Sequence, residues 1–394
     1  MTTHYHLISS DGHLEVPPER WRERVPKRLR ERAPSTIRLP NGGDGLALEG
    51  LPAPLEANFL DLRAGRPAGQ WQPFGLRVED AAGTGSPEQR VKEQQLDGID
   101  GEVLFPAMLA GPAIWRRMKD DELYCAVVRA YNEWLARDYC SVAPERLIGI
   151  GVIPDTNISD AVNELHYCSK LGLRGVVLGN FPSGKDYPSP DDDRFWAAAL
   201  DAQIAVSVHT KLNPLAGVTG PVPSRLFLYP REDPAIMQRM RRGFLEWITL
   251  FGLPPAVSIA QIVLSGVFDR FPALKVFFAE TRLGWVPFWL ESCDLWYQRH
   301  IGWAQEYLGL VPLAHRPSDY VKEHIYFSVQ YEQVAVELRR HIGVEKIMFA
   351  TDFPHIKCEW PRSRPLIEEI YADVPEHEKR RIWAENAMEF FRLG

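Results

Sequence analysis

At 394 residues the chain is long enough for two or three average domains, or for one α/β barrel with insertions. Hydrophobic residues are 45% and charged residues 25%, ordinary globular usage that excludes a disordered chain, a collagen-like fibre and a disulfide miniprotein. Lys plus Arg is 45 against Asp plus Glu 52, so no global positive field favours nucleic acid or an anionic membrane surface, and a small molecule is the expected partner.

The N-terminal stretch MTTHYHLISSDGHLEVPPERW has neither a basic region nor a long apolar run, so no secretion signal is expected. The most apolar later stretch, residues 250–268, is interrupted by Pro254 and Pro255 and reads as no membrane span. Cys125, Cys140, Cys168, Cys293 and Cys358 are odd in number, scattered and without a C-x-x-C pair, the pattern of reduced thiols in a cytoplasmic protein.

Eight short apolar runs, mostly followed by segments of helical periodicity, read as repeated βα units: residues 6–11 (HLISSD), 102–106 (EVLFP), 147–153 (LIGIGVI), 175–178 (GVVL), 204–209 (IAVSVH), 275–280 (KVFFAE), 324–329 (HIYFSV) and 346–352 (KIMFATD). Several are near-continuous rather than alternating, as strands buried on both faces should be, and a parallel (β/α)8 barrel is the expected fold. Helices are expected over 121–139, 159–171, 193–202 and 376–391, the last closing the barrel. Residues 17–89 break the pattern, being rich in Pro, Gly, Arg and Asp with Phe59, Trp71 and Phe74 interspersed; they read as a long loop over the barrel mouth. A second long excursion, residues 211–242 with five prolines, follows the fifth strand. With no internal repeat and no linker, residues 1–394 read as a single domain.

Catalytic groups of such barrels project from the C-terminal ends of the strands. Strand one ends in Asp11-Gly12-His13-Leu14-Glu15, strand five in His209, strand six in Glu280 and strand eight in Thr351-Asp352-Phe353-Pro354-His355. Carboxylates gathered on one rim repel unless a cation offsets them, and carboxylate with neutral imidazole suits a divalent transition metal. Asp11 and His13, two apart on an extended segment, point to one side, so a single ion can take both with His209 and Asp352 reaching from across the barrel. His4-x-His6 lies at the opposite end of strand one and reads as surface or barrel-bottom packing.

The stretches ISSDGHLEVPPERW, GIDGEVLFP, GLRGVVLGN, IAVSVH, SGVFDRFPALKVFFAE, GWVPFWLE and IMFATDFPH, in this order, resemble the amidohydrolase-related family, which includes the aminocarboxymuconate semialdehyde decarboxylases and the resorcylate-type decarboxylases. The resemblance implies a distorted (β/α)8 barrel (TIM barrel), here with long insertions after strands one and five, and metal ligands from a first-strand motif, a fifth-strand His and an eighth-strand Asp. By position these are Asp11, His13, His209 and Asp352. His13-x-Glu15 is the alternative register; Pro17, four residues after His13, matches the resorcylate-type spacing and favours Asp11 and His13. FFAE puts Glu280 where the decarboxylases usually carry His, which opens the substrate and the proton-transfer scheme. Gly179-Asn180, not a Lys, ends strand four, so one metal is expected rather than two bridged by a carbamylated Lys.

The expected cofactor is one divalent ion, Zn2+ first and Mn2+ second. Asp352, Glu280 and His355 are the candidates for proton transfer. Glu280 reads as an acid/base, an extra ligand or the ion-pair partner of Arg282 or another arginine, and His355 equally as a loop-shaping residue. Glu15 is expected to support the first-strand ligands or pair with an arginine. Trp285 and Phe353, with Trp289 and Trp360 nearby, suit a flat substrate, and Arg63, Arg66 and Arg90 are open candidates for its carboxylate. The implied reaction is non-oxidative decarboxylation of an aromatic or unsaturated acid. The alternatives are metal-dependent hydrolysis of a C–N, C–O or C–C bond beside a carbonyl, and a retired barrel that only binds. The expected partners are a small carboxylate or carbonyl compound and further copies of the chain in a homodimer or homotetramer, with the apolar residues of the long loops as the place to look for that contact.

Overall fold

Runs of Val, Ile, Leu and Phe that cannot face water on either side settle in a parallel sheet covered by helices. The structure, a computed structural model, describes residues 4–51, 53–56, 62, 64–67, 70, 72, 74–106, 112–212, 233–250, 253 and 255–394. Its strands are β1 (Ile8–Leu14), β2 (Ser35–Arg38), β3 (Asp44–Ala47), β4 (Leu55–Glu56), β5 (Gly101–Pro106), β6 (Leu147–Ile153), β7 (Gly175–Leu178), β8 (Ala205–His209), β9 (Val276–Ala279), β10 (Ile325–Val329) and β11 (Ile347–Phe349). Eight of them, in the order β1-β5-β6-β7-β8-β9-β10-β11, pair in parallel, with helices between most neighbours. The sheet closes on itself where Asp352 N donates to Asp11 O (2.9 Å) and His13 N donates to Phe353 O (2.7 Å). This is the expected distorted (β/α)8 barrel.

The expected strands are all present, and β6 and β7 have the expected bounds. The first runs three residues further than its apolar run because the register slips between Ser9 and Gly12, a bulge that keeps Gly12, His13 and Leu14 paired with β5. The last stops at Phe349, three residues short of Asp352. Beyond it Ala350 N still donates to Val329 O, but Thr351 N turns to Ser9 Oγ and Asp352 adopts a left-handed backbone (φ 56°).

The helices follow their caps. Asn157 Oδ1 accepts from Ser159 N and Asp160 N at the start of the helix Ile158–Lys170, and Asp120 Oδ1 does the same for Asp121–Trp134. The latter continues as a wider π turn to Tyr139, the expected end. The terminal helix, Glu376 to Phe391, also carries a π turn, and its buried Asn386 donates to Val344 O and Ile347 O, which ties it to β11.

Residues 17–89 are more than a loop: β2, β3 and β4 form a small antiparallel sheet. Alternation in these short polar strands is too weak to read from the sequence. Trp21, fully buried, anchors the insertion against Trp115 and Tyr131. Of the aromatic residues expected there, Phe59 and Trp71 lie outside the described residues, as do Arg63 and residues 213–232 of the second excursion. That excursion ends earlier than expected, in a helix from Pro234 to Leu250: its prolines all fall at or before position 234, where a first-turn Pro is tolerated. Among the described residues no helix is long and apolar enough to cross a membrane.

Beneath the seam, Arg90 and Glu102 form a buried two-pronged pair, Nε to Oε2 at 2.8 Å and Nη2 to Oε1 at 2.9 Å. Gly12 passes so close that a Cβ there would overlap the Glu102 carboxylate. Gly12→Ala should therefore destabilise the fold by about 1–3 kcal/mol, the usual range for overpacking. A lower denaturation midpoint on chemical unfolding checks this, and an unchanged midpoint would mean that Glu102 moves aside without cost.

Candidate metal centre and active site

Each strand end delivers its polar residue to one rim. Asp11 and His13 come from β1, His209 ends β8, Glu280 follows β9, and Asp352 and His355 follow β11. Asp11, His13, Asp352 and His355 are buried, and His209 and Glu280 are partly so. His13 Nε2 stands 3.4 Å from Asp11 Oδ1 and 3.2 Å from Asp352 Oδ1, and His209 Nε2 is 3.5 Å from the same Asp11 oxygen. Two sets result, Asp11–His13–His209 and His13–Asp352–His355, each with its donor atoms within 4.8 Å of one another.

These donors are orphaned. Both oxygens of Asp11 and of Asp352, both ring nitrogens of His13 and Nε2 of His209 are buried without a hydrogen bond of ordinary geometry. Each such group costs about 1–3 kcal/mol, more when charged. Ligands about 2.1 Å from one ion at tetrahedral angles lie roughly 3.4 Å apart, which matches the separations found here. Asp11, His13 and His209 thus fit a divalent cation in chemistry and in spacing, and Asp352, 3.2 Å from His13 Nε2, adds a carboxylate of the same chemistry beside them.

His355 behaves differently from the other imidazoles. Its Nδ1 is 3.0 Å from Asp352 Oδ1 and its Nε2 is 3.0 Å from Glu15 Oε1. Burial opposes its protonation, but the two carboxylates outweigh burial and hold its pKa well above the ordinary value. For Asp352, burial alone would raise the pKa; the charge on His355 and the contacts with His13 and His355 reverse that and keep it below the usual carboxylate range. His13 stacks on His355 with centroids 4.1 Å apart; its burial, together with that neighbouring charge, pushes its pKa down to about 4, so it offers a neutral ring at physiological pH. Glu15 is therefore a partner of His355, while Asp11 occupies the place beside His13 and His209.

Glu280 also takes a left-handed backbone (φ 56°), its N–H donating to Ser328 Oγ of β10 at 2.7 Å. A non-glycine residue in that region costs about 1 kcal/mol, so the turn is held by its surroundings. The ion-pair partner of Glu280 is Lys357, not an arginine; Arg282 instead lies 3.8 Å from Glu332 Oε1. Lys357 Nζ is also 3.8 Å from Asp352 Oδ2. Sequence reasoning missed this lysine. Its only signal is its position, five residues after Asp352 in the same loop, and a loop lysine is ordinarily solvated.

The remaining candidates fall around this cluster. Arg90 is committed to Glu102 and lies 4.4 Å over the Phe353 ring, so it is part of the framework and not a free anchor for a carboxylate. Phe353 is buried, packed on Arg90 and, 5.5 Å away, Trp360. Trp285 is half-buried beside Trp289 and donates from Nε1 to Thr281 O. Arg66 is half-buried. His4 and His6 are exposed ahead of β1, away from the rim.

The profile of a family described as amidohydrolase matches residues 4–393. A 2-amino-3-carboxymuconate-6-semialdehyde decarboxylase of Dictyostelium discoideum is 25% identical over 311 residues, 78% of this chain and 77% of the relative. A gamma-resorcylate decarboxylase of Polaromonas is 23% identical over 346 residues, 86% and 96% of the two chains. Among solved structures, a 5-carboxyvanillate decarboxylase of Novosphingobium aromaticivorans, complexed with manganese and 4-hydroxy-3-methoxy-5-nitrobenzoic acid, superposes with a TM-score of 0.66 at 18% identity, covering 99% of this chain and 96% of that one.

If the four donors hold an ion, elemental analysis of the purified protein should find about one divalent metal per chain. His209→Ala or Asp11→Asn should reduce that content at least tenfold after dialysis, losses typical of removing a direct ligand. Full metal content in both variants would place the ion elsewhere.

Proposed function

Because the chain belongs to the amidohydrolase family, we propose that it is a metal-dependent enzyme that decarboxylates an aromatic or unsaturated carboxylic acid without an oxidant. The observation that carries this reading is the meeting of Asp11, His13 and His209, from two strand ends, with Asp352 from the loop after β11 beside His13, their buried donor atoms unsatisfied. Two similar proteins, named for the decarboxylation of carboxymuconate semialdehyde and resorcylate, support the reaction class. Residues 1–394 act as one domain, with residues 17–89 lying over the mouth; Ala64 N donating to Pro354 O supports that placement. The five unpaired cysteines fit a cytoplasmic protein.

Asp11, His13, His209 and Asp352 would hold one divalent ion, Zn2+ or Mn2+; the bound manganese of the 5-carboxyvanillate decarboxylase supports the second as much as the imidazole pair supports the first. Such an ion supplies Lewis acidity to the oxygens of a bound acid. The chain supplies the proton. Decarboxylation breaks the bond between ring carbon and carboxylate; its electron pair stays on carbon and takes up a proton as CO2 leaves. His355 keeps a proton on Nδ1, 3.0 Å from Asp352 Oδ1, and Glu15 balances the opposite ring nitrogen, so Asp352 can receive that proton and pass it on. Lys357 faces the same space and would meet an anionic oxygen of the substrate, exchanging Glu280 for it. Trp285 and Phe353 are proposed to flank the ring.

One observation favours a second reading. A carboxylate at Glu280, 3.7 Å from His209 Nε2, is a suitable general base for hydrolysis of a bond beside a carbonyl.

Incubating the metal-loaded enzyme with hydroxybenzoates and unsaturated carboxylates, and following CO2, separates the two. Release of CO2 is expected; its absence, with turnover of amides, esters or lactones, would establish the hydrolase. Lys357→Met should raise KM for the acid substrate about ten- to hundredfold with a smaller effect on kcat, the loss expected for one charge-assisted contact. An unchanged KM would remove Lys357 from the substrate site.

A further inference from the structure

The pairing of the strands fixes which side chains enter the barrel. His209 of β8 stands level with Ala279 of β9, which puts Phe277 and Ala279 on the inward face that carries His209. Tyr326 pairs with Phe277, so Tyr326 and Ser328 of β10 share that face, and the next residue on it is Gln330, just past the strand. Tyr331 obeys the same alternation from the other side. It follows that Ser328 and its partner Met348 face inward and Phe349 outward, and the Tyr331 ring packs on Phe349 with centroids 5.9 Å apart while its hydroxyl meets Ser363 Oγ at 2.7 Å. Gln330 therefore turns into the mouth from the strand that lies between those leading to Glu280 and to Asp352. It is 3% exposed, and its Nε2 is buried with no hydrogen-bond partner among the described residues. An apolar side chain of similar size would avoid the cost of an unpaired buried amide.

We propose that Gln330 is a substrate-binding residue whose Nε2 donates to an oxygen substituent of the bound acid, so that the site selects oxygenated acids over unsubstituted ones. An amide N–H2 is a donor and not a metal ligand, so what Gln330 lacks is an acceptor. The carboxylates on either side are committed, Glu280 to Lys357 and Asp352 to His13 and His355. The carboxylate of the substrate is met by the cation and by Lys357, where a neutral donor adds little. At an uncharged oxygen the same donor discriminates well, because an analogue without that oxygen leaves the buried amide unpaired. The assignment rests on the reading of the site as one that binds and decarboxylates an acid, and adds the residue that reads the substituent.

The test compares benzoate with 2-, 3- and 4-hydroxybenzoate on the full, metal-loaded protein, by calorimetric dissociation constants, or by KM for an acid that is turned over. In the wild type one hydroxybenzoate should bind about tenfold tighter than benzoate, and Gln330→Leu should reduce that preference to about threefold or less while benzoate itself changes little. Gln330→Glu keeps the shape but replaces the donor by an acceptor, and should weaken the same isomer at least as much. Metal content should stay at the wild-type level in both variants, and the melting temperature of Gln330→Leu should not fall, since the substitution removes an unpaired donor. A wild type without the preference, a preference untouched by Gln330→Leu, or one retained in Gln330→Glu overturns the assignment of Gln330 alone. A lower melting temperature with unchanged affinities would give Nε2 a structural water instead, and loss of metal would make Gln330 a support of the cation; either result overturns the assignment as well. A wild type that binds none of the four acids overturns the reading of the site as one for aromatic acids, and Gln330 with it.

Discussion

Everything at the mouth of this barrel hangs on its seam. A parallel barrel must join its first and last strands, and here the joining hydrogen bonds run between the residues that carry the site: Asp352 N to Asp11 O and His13 N to Phe353 O. The backbone bonds that close the fold are therefore the bonds that set Asp11, His13 and Asp352 side by side. No loop flexibility separates them. Only a glycine fits between Asp11 and His13, because the Glu102 carboxylate, clamped by Arg90, occupies the space a Cβ would need. Arg90 in turn bonds Phe353 O at 3.3 Å, so a buried ion pair remote from the reaction braces the same carbonyl that receives His13 N–H. A pair of this kind contributes little net stability against an apolar substitute, but removal of one partner leaves a buried charge. Its value here is positional.

Strain collects at the same rim. Glu280 holds a left-handed backbone directly after β9 and Thr210 directly after His209, and Asp352 does so three residues past the end of β11. Such residues persist only where neighbours over-determine them. Ser328 Oγ holds the Glu280 N–H, and Asp11 O holds that of Asp352. The turn re-aims each carboxylate across the barrel instead of continuing along its strand, which is how groups from separate strand ends come within a few ångströms.

The barrel was legible because its strands are buried on both faces and so read as unbroken apolar runs; β6 and β7 could be bounded to the residue. Asp11, His13, His209 and Asp352 could be named because the barrel's geometry makes strand ends special. The sequence was silent where structure depends on long-range pairing. The small sheet of β2, β3 and β4 has strands of two to four residues, too short for a period to show. Lys357 acquires its meaning only from Glu280, 77 positions away along the chain. Arg90, from the sequence an open candidate for the substrate carboxylate, is buried in a helix, Pro87–Asp97, because its partner Glu102 sits on a barrel strand, where charge is unexpected.

The balance of charge around the cluster ties these pieces together. Asp11, Glu15, Glu280 and Asp352 bring four formal negative charges into a largely buried space. Lys357 offsets one through Glu280, and the protonated ring of His355, shared between Asp352 and Glu15, offsets another. Two negative charges are left, with the oxygens of Asp11 unsatisfied and the rings of His13 and His209 turned toward them. A carboxylate at position 280 would be untenable here without Lys357, since it would add a third uncompensated charge beside Asp11. With the lysine present, the remainder equals the charge of one divalent cation, and the side chains left unpaired are those with the chemistry to bind it.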